Sequence, residues 1–263
     1  MKQIIRIASF QVQDALRSKW LILHGLFYLL VSEGLLLAAG TSVKAVVSLV
    51  NVVLLLVPLV SLVFGVMQLY HAREFILLLL TQPLRRRDLF LGLYAGLSVP
   101  LAATFALGTA LPFLWHGAAM GLEGLRLTAL LAGGVLLTLL FSALAFLVAV
   151  RHTDRVKGIG LALLYWLGFA VIFDGIVLVA VSMFASWPLE KILLGVMFLN
   201  PIDLVRVVML MLFDAAALMG YTGAIFSRFF GSAPGVVVAT LALMIWTVIP
   251  LLLAQRAFVR RDF

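Results

Sequence analysis

The chain has 263 residues, of which 65% are hydrophobic and 11% charged, and it carries a formal net charge of +8. Soluble domains average about 25% charged residues, so this composition excludes a soluble globular class and leaves no room for a separate polar domain. The basic excess is therefore assigned to membrane topology rather than to nucleic acid. The absence of cysteine removes disulfides, thiolate metal sites and cysteine nucleophiles.

The first segment, 1–19, sets Ile4, Ile5, Ile7, Ala8 and Val12 among Lys2, Arg6, Asp14 and Arg17. It fits an amphipathic helix on the inner leaflet with its basic residues near anionic headgroups; a simple basic flank fits as well. No small-residue cleavage pattern follows a short apolar core, which argues against a cleaved signal peptide.

A helical span takes about 20 apolar residues. Stretches 20–39, 45–70, 89–115, 127–150, 159–181 and 235–254 qualify. Such continuous runs predict helices, because barrel strands would show alternating segments of about ten residues. The expected fold is an all-α integral membrane protein with six transmembrane helices, forming a single domain over 1–263. With the N-terminus in the cytosol, Lys2, Arg6, Arg17, Lys19, Arg73, Arg85, Arg86, Arg87, Arg151, Arg155, Lys157, Arg256, Arg260 and Arg261 fall inside. Only Lys44, Arg126, Lys191, Arg206 and Arg228 fall outside, as positive-inside retention requires.

Between the second and third spans, segment 71–88 holds Arg73, Glu74, Arg85, Arg86, Arg87 and Asp88. Each such charge costs roughly 2.5 kcal/mol or more at the bilayer centre. Yet Phe75 through Leu80 is too apolar for a plain solvated loop. Charged ends around an apolar middle predict a helix lying on the cytosolic face against a partner, ended by the turn at Gln82-Pro83. A basic loop that only satisfies topology is the simpler alternative.

Glu33, Asn51 and Asp174 lie inside spans, all at a depth of roughly 20 Å from the inner edge. One shared layer suggests a common cavity, or interhelical hydrogen bonds around protonated acids. Region 182–234 is expected to form an external cap of interfacial or re-entrant helices. Asn200, Pro201, Asp203 and Arg206 interrupt its apolar run, and a seventh crossing would put Arg256, Arg260 and Arg261 on the wrong side. Asn200 suits an N-cap, Pro201 the first helical position and Asp203 the first turn, with Arg206 in reach of Asp203. Local capping accounts for all four; an external contact or gate is the functional alternative.

Met183, Met197, Met209, Met211 and Met219 fall in the outer region. Thioethers suit Cu(I), but Met209 and Met211 face different ways and methionine is a common gap-filler, so packing is the preferred reading. The histidines are dispersed, with no metal-ligand spacing. No phosphate loop and no H-E-x-x-H pattern occurs, so neither a catalytic role nor a metal site is predicted.

Arg73-Glu74, the leucines 77–80, Gln82-Pro83, the arginine run and Leu91-Gly92 resemble the coupling segment of type-two ABC-transporter permeases. In place of that family's glycine-threonine before the leucines stand Phe75-Ile76. The resemblance implies cytosolic termini, a coupling helix between helices 2 and 3, and a periplasmic cap between helices 5 and 6. A narrower likeness runs from Trp166 through Asp174-Gly175, Leu199 to Asp203, Arg206 and Gly220-Tyr221-Thr222-Gly223-Ala224. This resembles NosY-type permeases, which serve maturation of the copper centre of nitrous-oxide reductase. It implies a second copy of the chain, two cytosolic ABC ATPase subunits that bind ATP and Mg, and a periplasmic solenoid-type accessory protein, with no cofactor on this chain. It also implies the bacterial inner membrane, and either export of a sulfur species or mechanical action on the periplasmic partner. Export of a lipid or other hydrophobic compound, and passive anchoring of soluble partners, are the other readings.

Overall fold

In lipid a backbone must satisfy its own hydrogen bonds, and continuous apolar runs do so as helices. The computed structural model describes residues 18–81, 84–117, 121–184, 190–213 and 233–260, together with residue 12. Gln82, Pro83, most of segment 1–19, stretch 214–232 of the expected cap, and Arg261 to Phe263 lie outside the described residues.

The helices are α1 (Lys19–Ala39), α2 (Ser42–His71), α3 (Arg73–Leu80), α4 (Arg86–Trp115) and α5 (Gly121–Arg151). Then come α6 (Arg155–Leu167), a π segment (Gly168–Ile172), α7 (Phe173–Met183), α8 (Glu190–Met197), α9 (Pro201–Leu212) and α10 (Ala233–Arg260). No strand occurs among the described residues. Among the described residues six helices are long and apolar enough to cross a membrane: α1, α2, α4, α5, the continuous α6–π–α7 unit and α10. Every expected span falls within one of them. Lys19, Arg73, Arg85 to Arg87, Arg151, Arg155, Lys157, Arg256 and Arg260 mark one end of the bundle, called here the basic end.

α5 is the central helix, packed on α2, α4, α9 and α10. Lipid supplies no hydrophobic drive between helices, so close backbone approach and interhelical hydrogen bonds hold them. A Cβ on Gly108 of α4 would collide with the Gly25 carbonyl of α1, one on Gly134 with the Phe105 ring, and one on Gly65 would lie 2.7 Å from Ala145 Cβ. Beside the α1–α4 contact, His24 Nδ1 lies 3.0 Å from Thr104 Oγ1, and Tyr28 meets Phe105 edge-on at 5.0 Å.

Near the basic end, Phe90 packs on Phe146 and Phe258, and Phe146 on Tyr94. Tyr94 Oη donates to the Leu139 carbonyl at 2.9 Å. Tyr94→Phe keeps the ring and loses the bond. Its expected cost is about 1 kcal/mol or less, read as a small drop in thermal unfolding temperature in detergent.

Candidate functional site

The segment singled out between the second and third spans is helical at its core. Arg73, Glu74, Leu77 and Leu78 lie on one face of α3 and are exposed, the two leucines at 42% and 61%. Ile76 is buried and, beside Arg73, lines a small cavity with Leu69, Ala149, Val150 and Phe258. Thr81 Oγ1 donates to the Leu78 carbonyl at 2.7 Å at the helix end. Phe75 is partly buried. Arg85 precedes the first turn of α4, where the Asp88 N–H donates to its carbonyl at 2.9 Å and the Asp88 carboxyl sits against the helix dipole. Arg86 Nη1 donates to the Val259 carbonyl at 3.0 Å, tying α4 to the last turn of α10. Arg85 and Arg87 are exposed.

Tyr70 and the turn that opens α6 carry contacts that sequence reasoning did not single out. Tyr70 Oη lies within donating distance of the His152 carbonyl at 2.9 Å and the Asp154 carbonyl at 3.2 Å. Gly158 makes room for it, since a Cβ there would run into the Tyr70 ring and hydroxyl. Asp154 caps α6 by accepting from the Val156 N–H at 2.8 Å. That cap was legible, because an aspartate immediately before a helical run is a standard N-terminal signal.

Toward the opposite end, α8 and α9 form a hairpin whose turn lies deep in the bundle. Trp246 Nε1 donates to the Phe198 carbonyl at 2.9 Å, and Asn200 Nδ2 to the Phe169 carbonyl at 2.8 Å. Trp246 and Phe169 each lie about 20 Å along their helices from the nearer charged or chain-entry end. Residues 198–200 therefore reach the middle of the bundle, and α9 runs back outward against α5, α10 and α2. Ile202, Leu204, Val205, Val207 and Met209 are buried. α9 thus lies within the helix bundle, against α2, α5 and α10.

The capping residues become a polar knot in this setting. Asn200 Oδ1 accepts from the Ile202 N–H at 3.0 Å, and its Nδ2 also reaches Asp203 Oδ2 at 2.8 Å. Arg206 Nη1 donates to Asp203 Oδ1 at 2.7 Å and to Asp174 Oδ2 at 2.8 Å. Pro201 opens α9. Across from it the helix winds one residue wider: the Phe173 N–H bonds to the Gly168 carbonyl, not to that of Phe169. Phe169 can then accept from Asn200, and π-bulges of this kind recur at functional sites. Asp174, Asp203 and Arg206 line a groove of about 250 Å³ walled by Phe173, Val177, Leu193 and Met197 among others.

The layer of Glu33, Asn51 and Asp174 does not come together. Glu33 accepts from Trp115 Nε1 at 3.1 Å and faces His116 Nε2 at 3.6 Å, Asp174 binds Arg206, and Asn51 is exposed on α2. Met209 is buried against Gly133, Met197 lines the groove and Met183 is exposed. The Met211 side chain and Met219 lie outside the described residues. No group of three or more His, Asp or Glu among the described residues could hold a metal ion.

The fold defines a polytopic α-helical membrane protein with a helical hairpin inserted into its bundle and a short helix between spans at its basic end. No protein-family model matches the chain. It is 32% identical over 241 residues to the "Probable ABC transporter permease protein NosY" of Pseudomonas aeruginosa, covering 84% of this chain and 86% of that one. It is 27% identical to the protein of the same name from Stutzerimonas stutzeri, over 99% of each chain. The chain belongs to the NosY family of ABC transporter permeases. As such it is a multi-pass transport component rather than the catalytic subunit, and a permease of this class works with ATPase partner subunits.

Proposed function

We propose that the chain couples closure of a pair of cytosolic ABC ATPases, which bind ATP and Mg, to movement on the periplasmic side of the bacterial inner membrane. The carrying observation is α3, whose exposed Arg73, Glu74, Leu77 and Leu78 stand on a short helix between two spans at the basic end. Two exposed leucines framed by an ion of each sign suit a groove on a soluble partner better than water or lipid alone. Positive-inside retention supports a cytosolic place for this end. Arg85, Arg86, Arg87 and Asp88, with Gln82 and Pro83 before them, complete the docking segment.

The chain acts as a homodimer, and the α8–α9 hairpin with Asn200, Pro201, Asp203 and Arg206 belongs to a periplasmic cap on which a solenoid-type accessory protein rests. The likeness to NosY-type permeases noted in the sequence implies a role in maturing the copper centre of nitrous-oxide reductase, through export of a sulfur species or mechanical work on the accessory protein. The polar knot of the hairpin favours the mechanical form, because Arg206 is already paired with Asp174 and Asp203 and is not itself free to draw an anionic cargo.

The test is ATP turnover of the assembled complex. Glu74→Ala and Leu77→Asp are each expected to lower permease-stimulated turnover about tenfold or more, in line with loss of an interface anchor. Unchanged assembly and turnover in both would reject the reading.

A further inference from the structure

We infer that the α6–π–α7 helix is the rod that carries motion from α3 to the α8–α9 hairpin, with Tyr70 the positioning residue at its basic end and Asn200 and Arg206 those at its far half. The inference rests on the coupling reading above.

Tyr70 stands in the last turn of α2, beside α3, and its hydroxyl holds the His152 and Asp154 carbonyls of the turn that opens α6. Asp154 in turn caps α6, and Gly158, one turn further on, leaves the space the Tyr70 ring occupies. A displacement of α3 that moves Tyr70 therefore moves the start of the rod. At the other half, Asn200 grips the Phe169 carbonyl and Arg206 grips Asp174, so the hairpin is fastened to the rod at the π segment and one turn beyond.

Between those fastenings Leu163, Leu164 and Leu167 are exposed and only Gly158 and Ala162 are buried along α6, while Trp166 Nε1 donates to the Leu55 carbonyl at 2.9 Å, a further hold on α2, the helix that carries Tyr70. A continuous helical unit from Arg155 to Met183 is about 43 Å long and stiff along its axis, and it meets the α5 core edge-on where Phe169 packs on Phe141. The competing route from the docking segment is Arg86 to the Val259 carbonyl and α10, which bypasses the rod.

The test uses the full chain assembled with its ATPase subunits in lipid nanodiscs. Hydrogen exchange of residues 190–212 is compared between nucleotide-free and ATP–vanadate-trapped states, with turnover measured in parallel. Wild type is expected to show a nucleotide-dependent change in the hairpin. Tyr70→Phe, which removes only the hydroxyl, is expected to reduce the nucleotide-driven shift about 2- to 30-fold while turnover persists. Gly158→Ala, which drives the Tyr70 ring away without touching it chemically, should do the same. A merely structural role would alter exchange equally in both nucleotide states. Retention of the full change by both variants overturns the rod and leaves the coupling reading standing. Persistence of both turnover and hairpin change in Leu77→Asp overturns the coupling reading itself.

Discussion

A Gly108→Val chain is expected to lose about 3 kcal/mol of stability, the upper end of the overpacking range, and to unfold well below the wild-type temperature in detergent. A Cβ at Gly108 would meet the carbonyl oxygen of Gly25 and, at 3.2 Å, the Tyr28 Cβ. When the obstructing atom is the end of a flexible side chain, a rotamer change relieves the clash. Here it is backbone, so α1 and α4 must separate along their contact. Separation would also loosen the His24–Thr104 contact and the Tyr28–Phe105 pair, which multiplies the loss. Gly34→Val is the control, since nothing lies within 4 Å of a Cβ there. Equal unfolding temperatures for the two variants would mean that α1 does not pack on α4 as described.

The spans were legible because lipid imposes one rule on every residue of a crossing helix, and a continuous apolar run has no other stable form. The extent of α3 was legible for the complementary reason: Arg73, Glu74 and the arginines from Arg85 onward cannot enter lipid, so the chain must surface between them. For Glu33, Asn51 and Asp174 the same arithmetic left two outcomes open. Glu33 and Asp174 take the interhelical-bond one rather than a shared cavity, because counting residues along a helix gives depth but not rotation about its axis. Glu33 turns toward Trp115 and His116 of α4, and Asp174 toward Arg206. The capping pattern at Asn200, Pro201, Asp203 and Arg206 was read correctly as local chemistry, yet it carries no information about depth. An N-cap looks the same at a membrane surface as in the middle of a bundle. What places it there is Trp246, Phe169 and the small Gly133 opposite Met209, each remote in sequence. The π segment left no signature at all, because its winding follows from what docks against it rather than from Gly168 to Ile172 themselves.

That docking makes Arg206→Met the second large effect. The guanidinium is the sole cation among the groups of the knot, and its removal leaves the Asp203 side chain, 7% exposed, and Asp174 without their charged donor. Breaking a buried pair by deleting one partner costs about 3–5 kcal/mol. Partial exposure of Arg206 and Asp174, at 31% and 36%, screens part of this, so about 2–3 kcal/mol is expected after that discount. The loss should be local. Hydrogen exchange across α9 is expected to accelerate about 30- to 150-fold, the equivalent of that range, while α2 and α5 keep their protection. Replacing the whole knot at once, with Asp174→Asn, Asp203→Asn and Arg206→Met, removes every charge together and is expected to recover most of the lost protection. Ion pairs taken out as a unit often leave stability little changed. If the triple replacement exchanges as fast as Arg206→Met alone, the hairpin is held by the shape of its polar contacts rather than by charge balance. If Arg206→Met itself exchanges like wild type, the apolar face of α9 against α5 suffices to seat the hairpin, and the knot contributes no stability to it.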